Sequence, residues 1–339
     1  MVTVDPALQK LWQRGCDFLG TDVAIMGGAM SWVSERNLVA AISNAGGFGT
    51  IACGAMPPEL LQKEIQGTKA LTHKPFGVNL ITMHPQLDTL VDICLAEKVS
   101  HIVLAGGLPP ATAIKKIKEG GAKLMCFTPT VALGKKLIRM GADALIIEGM
   151  EAGGHIGPVS TSVLAQEILP AIHDVPVFVA GGIGRGEAIL SYLEMGAAGV
   201  QLGTRFVCAT ECIAHPKFKQ AFIRAAARDA LPSVQIDPRF PIIPVRAIVN
   251  EGGQQFVEKQ KEVIAKFDAG TLTKEQAQLE IEHFWAGALR RAVVDGDVET
   301  GSVMAGQSVG MVTREQPVVD ILAELIAQAT DALHQRHVA

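Results

Sequence analysis

Two acids and a histidine, Glu148, Glu151 and His155, fall within the segment EGMEAGGHIGP (148–158), directly after the apolar run Ala144–Ile147. An imidazole can donate or accept a proton near neutral pH, and the glycines beside His155 let the backbone approach a ligand, so His155 is the candidate catalytic residue. The competing reading is a histidine that only hydrogen-bonds its own loop. Glu148 stands at the end of the apolar run, where it could accept a bond from a ligand hydroxyl or amide. Glu151 reads as half of a surface ion pair. Two more stretches, AGGIGRGE (180–187) and QLGTRF (201–206), have the glycine density that exposes backbone N–H groups to a phosphate, with Gly203 and Thr204 placed to hold it. Glycine also serves plain tight turns, so neither stretch decides the matter alone. GGAM (27–30) and FGVN (76–79) complete the set. The Asn79 amide suits the edge of a heteroaromatic ring or, equally, the capping of a loop. Gathered together, these segments would surround a large flat ligand with a phosphate tail.

Gathering them requires a particular scaffold. Apolar runs recur roughly every 25 residues: Val23–Met26, Gly49–Ala52, Phe76–Leu80, Ile102–Ala105, Leu124–Phe127, Ala144–Ile147, Val177–Ala180 and Gly199–Leu202. Between them lie helix-spaced segments such as LDTLVDICLAEK and AILSYLEMGA, several ending in glycine as helix C-termini do. Continuous apolar strands are buried on both faces, as in parallel sheets, and alternation with helices means right-handed βαβ units. Eight such units predict an α/β fold of the (β/α)8 TIM-barrel type, and the count disfavours the alternative, a doubly wound open sheet. A barrel keeps its chemistry at the C-terminal strand ends and its phosphate sites after strands seven and eight, where AGGIGRGE and QLGTRF fall.

After Phe206 the alternation stops. Residues 213–297 read as a smaller, mostly helical inserted lobe, with residues 1–212 and 298–339 forming the barrel. Hydrophobic residues make up 48% of the 339 and charged residues 19%, enough for a sizeable core. The net charge of −4 and the lack of a basic block argue against nucleic acid. Neither a secretory leader nor a membrane-length apolar run is visible. The six cysteines are scattered without metal-ligand spacing, although Cys208 and Cys212 could share a helix face. They read as reduced structural thiols, with no metal site, in a soluble cytoplasmic protein. The oligomeric state is left open, a homodimer included.

The segments EGMEAGGHIG, AGGI, QLGTRF, AHPKFK and GSVMAGQSVG resemble the flavin-dependent enoyl-acyl carrier protein reductase II family, which shares a superfamily with the nitronate monooxygenases, once called 2-nitropropane dioxygenases. The likeness runs from about Ile25 to the last helix, and WAGALRRAVVDGDVETGSVMAGQ looks more like the reductase branch. It implies a (β/α)8 barrel binding FMN non-covalently, with flavin contacts at Gly28, Ala29, Met30, Asn79, Glu148, Gly153, Gly182, Gln201, Gly203 and Thr204. His155 matches the catalytic histidine of the family. One departure stands out: where the family's first loop has P-I-x-Q-G-G-M, this chain has Ala24-Ile25-Met26-Gly27-Gly28-Ala29-Met30, so Gly27 replaces a glutamine near the flavin.

The resemblance implies reduction of a trans-2-enoyl thioester by NADH or NADPH, the acyl group carried by acyl carrier protein or presented as a small molecule. Phe240, Ile242 and Ile243 would then line an acyl channel or form the lobe's own core. The rival readings are a nitronate monooxygenase using O2, a nicotinamide–quinone reductase, and a ligand-binding barrel without flavin.

Overall fold

The apolar runs form the expected strands in a computed structural model that describes residues 4–338 other than Ala55 and Ala286. They are β1 (Ile25–Gly27), β2 (Gly49–Cys53), β3 (Phe76–Ile81), β4 (His101–Ala105), β5 (Lys123–Phe127) and β6 (Ala144–Glu148); after a two-residue strand β7 (Gly154–His155) come β8 (Val177–Ala180) and β9 (Gly199–Leu202). All but β7 pair in parallel, in the order β1-β9-β8-β6-β5-β4-β3-β2. The ring closes between β1 and β2, where the Phe48 amide donates to Ile25 O at 2.9 Å and Gly27 N donates to Phe48 O at 2.8 Å. The result is a TIM barrel, not an open sheet.

Helices α1 (Pro6–Leu19), α2 (Arg36–Asn44), α3 (Pro58–Leu71), α4 (Leu87–Ala96), α5 (Ala111–Glu119), α6 (Val131–Met140), α7 (Thr161–Ile168) and α8 (Gly186–Glu194) carry the chain around the sheet. Helix α1 does a different job from the rest. Asp5 caps its start by accepting from the Ala7 and Leu8 amides, and Gly20 ends it in the left-handed region at φ 73°. Its last turn lies under the barrel. The Phe18 carbonyl takes bonds from Lys123 Nζ and from His101 Nε2, residues that begin β5 and β4. The Phe18 ring meets His101 edge-on at 5.2 Å, and His101 meets Phe48 at 4.8 Å. Burial pushes the His101 pKa down to about 4, so this histidine is a neutral part of a plug at the N-terminal end of the strands.

Beyond β9 the chain forms α9 (Thr204–Val207), α10 (Pro216–Arg224), β10 (Ala230–Pro232), β11 (Val245–Ile248), α11 (Glu251–Asp268), α12 (Lys274–His283), α13 (Ala288–Arg290) and the final α14 (Val318–Val338). Phe218 and Phe222 of α10 pack into the barrel's core, whereas Phe240, Phe256, Val263, Ala277 and Ile281 form a second, separate cluster. The expectation of a mostly helical lobe misses β10 and β11, which pair antiparallel with each other and, through β11, with β7. Helix α14 packs so closely on α8 that a Cβ at Gly186 would meet Leu325 O at 2.1 Å. Among the described residues no helix is long and apolar enough to cross a membrane.

Candidate active site

The loop after β6 is built by two close approaches. A Cβ at Gly149 would lie 1.9 Å from Thr161 Oγ1, so only glycine lets this turn reach α7. Glu151 then turns inward: its Oε2 accepts from the Thr161 amide at 2.9 Å and hydroxyl at 2.8 Å. This corrects the expectation of a surface ion pair. The carboxylate is used by the first amide of α7, a helix whose Ser160 makes no capping bond of its own. The Glu151 carbonyl accepts the Gln307 amide at 2.9 Å, which draws in the segment that rejoins the barrel after the lobe.

That rejoining segment gathers the expected ligand contacts. Gly306 N donates to Thr204 Oγ1 at 3.0 Å, and a Cβ at Gly153 would meet Gly306 N at 2.6 Å. Gly182, at φ 71°, faces the Glu151 Cβ. On the other flank Gly28 N donates to Leu202 O at 2.8 Å, with the Gln201 amide beside Gly28 and Met30 Sδ beside Gly203. Ser34, unremarked in the sequence, shapes this loop: its hydroxyl donates to Gly28 O at 2.8 Å and accepts Met30 N at 3.0 Å. Ala29 follows Gly28 here and is half-buried. The structure therefore brings together Gly28, Met30, Glu151, Gly153, Gly182, Gln201, Gly203 and Thr204. Asn79 stands apart on β3, two strands round from β1.

Glu148, the last residue of β6, is half-buried and has no hydrogen-bond partner among the described residues; burial pushes its pKa up to about 7. His155 is exposed, its ring likewise has no hydrogen-bond partner among the described residues, and desolvation lowers its pKa. The backbone around it is nevertheless held: β7 pairs with β11, and Ile156 N donates to Pro244 O at 3.0 Å. Phe240 does not line a channel. It is 1% exposed inside the lobe's own cluster with Ile242 packed on it, while Ile243 is 61% exposed. At Gly27 the Ile42 Cδ1 lies 2.6 Å from where a Cβ would be, so the path of a longer side chain is filled. Cys208 and Cys212 are buried free thiols, and among the described residues no group of His, Cys, Asp and Glu could hold a metal ion.

The sequence signature of nitronate monooxygenase matches residues 13–90 and 83–328. The chain belongs to the nitronate monooxygenase family. Its structure is similar to that of FabK from Thermotoga maritima, at 35% identity and TM-score 0.86, over 96% of this chain and 98% of that one. In sequence it is 29% identical to (3aS,4S,5R,7aS)-5-hydroxy-7a-methyl-1-oxo-octahydro-1H-indene-4-carboxyl-CoA dehydrogenase of Rhodococcus jostii, over 92% of this chain and 94% of the relative. It is 27% identical to nitronate monooxygenase of Paraburkholderia phytofirmans, over 94% and 95%. This member of the nitronate monooxygenase family is a flavin-dependent oxidoreductase.

The residues present fit a flavin. Asn79 and Gln201 are 6% and 8% exposed, and neither amide side chain makes a hydrogen bond among the described residues. Amide side chains left free at the strand ends can donate to and accept from the edge of a polar ring. The Glu148 carboxyl adds an acceptor for a ring N–H. The amides of Gly182 and Gly203, which also lack an acceptor among the described residues, suit a phosphate beside Thr204 Oγ1.

Proposed function

We propose that this protein is an FMN-dependent reductase that takes electrons from NADH or NADPH and reduces the double bond of a trans-2-enoyl thioester. When bound, FMN supplies reversible storage of an electron pair between the two substrates. Gly182, Gly203 and Thr204 hold its phosphate, Gly28, Ala29, Met30 and Gly153 line its approach, and Asn79, Glu148 and Gln201 bond its ring. His155 faces the substrate. As a neutral imidazole it donates a hydrogen bond to the thioester oxygen, where negative charge develops, or guides the proton to the α-carbon. The 213–297 lobe forms the substrate side of the mouth, with the acyl group delivered on acyl carrier protein or coenzyme A. The free thiols suit the cytoplasm.

The observation that carries this reading is the unbonded, exposed imidazole of His155 on a pinned backbone at the mouth. The 35% identity to FabK and the coenzyme A thioester named in the Rhodococcus relative support an acyl-thioester substrate. The family match favours a second reading, oxidation of an alkyl nitronate with O2. Anaerobic mixing with NADH or NADPH separates the two. Rapid bleaching of the yellow colour, reversed by a trans-2-enoyl-coenzyme A, is expected. A colour that persists with either nicotinamide but bleaches with an alkyl nitronate would overturn the reductase reading. Heat release of the cofactor should yield FMN; recovery of FAD would contradict the phosphate site.

A further inference from the structure

The antiparallel register of β7 and β11 sets His155 opposite Val245 and Gly154 opposite Arg246. Directly opposed residues share a face of a sheet, and successive residues alternate. His155 therefore stands on the open face of this small sheet, and Arg246 on the covered face, where it is 2% exposed. From there its Nε donates to Met150 O at 3.0 Å and its Nη1 to Ala230 O at 2.5 Å. Met150 lies in the turn between Glu148 and His155, and Ala230 begins β10. One guanidinium thus joins the loop after β6 to both strands of the lobe.

Among the described residues no carboxylate forms an ion pair with Arg246. Burial lowers its pKa, with the charge of Glu151 acting the other way. A buried charge without a counter-ion is costly, and an apolar side chain of similar length would fill the space at least as stably. Packing alone does not account for an arginine here.

We propose that Arg246 is a positioning residue for His155: by gripping Met150 and Ala230 it fixes the β7–β11 register that presents the imidazole on the open face. A slip of one residue would set His155 and Arg246 on the same face, so that either the imidazole turned inward or the guanidinium turned outward. The inference rests on the substrate-facing role given to His155 above, and its test separates the two.

The test is a double-mutant cycle on the flavin-loaded enzyme with a trans-2-enoyl-coenzyme A, using Arg246→Met and His155→Ala singly and together. Arg246→Met is expected to lower kcat about tenfold or more with little change in KM, and to add nothing in the His155→Ala background. Arg246→Lys, which keeps the charge and can reach one carbonyl, should recover part of kcat. If the two losses multiply in full, Arg246 does not act through His155 and the proposal falls. If Arg246→Met yields no folded protein, the same cycle run with Arg246→Lys decides by the same criterion. Should His155→Ala keep full turnover, the functional reading is at fault. Hydrogen exchange then decides for Arg246: faster exchange in residues 149–157 of Arg246→Met supports the grip, and unchanged exchange overturns it.

Discussion

Glu151 and Thr161 are joined twice, the carboxylate accepting the threonine's amide and its hydroxyl within 2.9 Å. This pair fastens the loop that carries His155 to the start of α7. Replacing Glu151 with Ala leaves the first amide of that helix without an acceptor and should cost about 1–2 kcal/mol. Glu151→Gln keeps an acceptor oxygen and should cost less. Chemical denaturation of the three proteins checks the order.

Glu148 should make stability depend on pH in an unusual direction. Its carboxyl titrates near 7 when folded and near 4.5 when unfolded, so between those values the folded chain holds a proton that the unfolded chain has lost. Its penalty is absent below pH 4.5 and grows through pH 7 to about 1–3 kcal/mol, allowing for its partial contact with solvent. Glu148→Gln should therefore stabilise the flavin-free protein at pH 8 and leave it unchanged at pH 4.5. Equal effects at both values would mean that burial is not the cause.

Gly203 should be intolerant of bulk. A Cβ there would stand 3.3 Å from Met30 Sδ, and the branches of valine would push into the space beside Thr204. Each lost charge-assisted bond to a phosphate is worth roughly 1.5–3 kcal/mol. The Gly203→Val protein should purify colourless. Full flavin content, measured by absorbance against protein, would move the phosphate site elsewhere.

His155→Ala should stay yellow and still be reduced by nicotinamide, while transfer to the enoyl thioester falls by about 10²–10⁴-fold. Because desolvation lowers its pKa below the ordinary 6.5, His155 favours the neutral form at pH 7 and gains its proton on acidification. Stopped-flow rates for the second step should thus show a break below pH 6.5 that the alanine variant lacks. An unchanged second step would leave His155 a bystander.

The barrel is legible in the sequence because its strands are runs such as Leu145-Ile146-Ile147, whose burial on both faces leaves no polar residue to blur them. Strand β11 is not. Val245-Arg246-Ala247-Ile248 follows a proline and carries an arginine, and its partners lie in the short β10 and, about ninety residues back, in β7. No local pattern encodes such a pairing. Glu151 misleads for a related reason: a carboxylate in a glycine-rich loop belongs on the surface unless the fold supplies a helix start to receive it. Phe240 belongs to the lobe's core because α11 and α12 close over it, which the proline-rich sequence around it does not foretell. The residues of the cluster at Gly28, Gln201, Gly203 and Thr204 can be picked out from the sequence, but its link to Gly153 through Gly306 depends on a return of the chain about a hundred residues later.

The stopper made by Phe18, His101 and Lys123 has a consequence for traffic. With the N-terminal end of the tube packed shut, a ligand of the barrel is admitted only from the side of the C-terminal strand ends. In the proposed reductase, a nicotinamide and an enoyl thioester that occupy the same place would follow one another, the spent donor leaving before the acceptor is admitted. Initial-rate plots at several fixed donor concentrations would then be parallel lines, the signature of a shuttle that serves one passenger at a time.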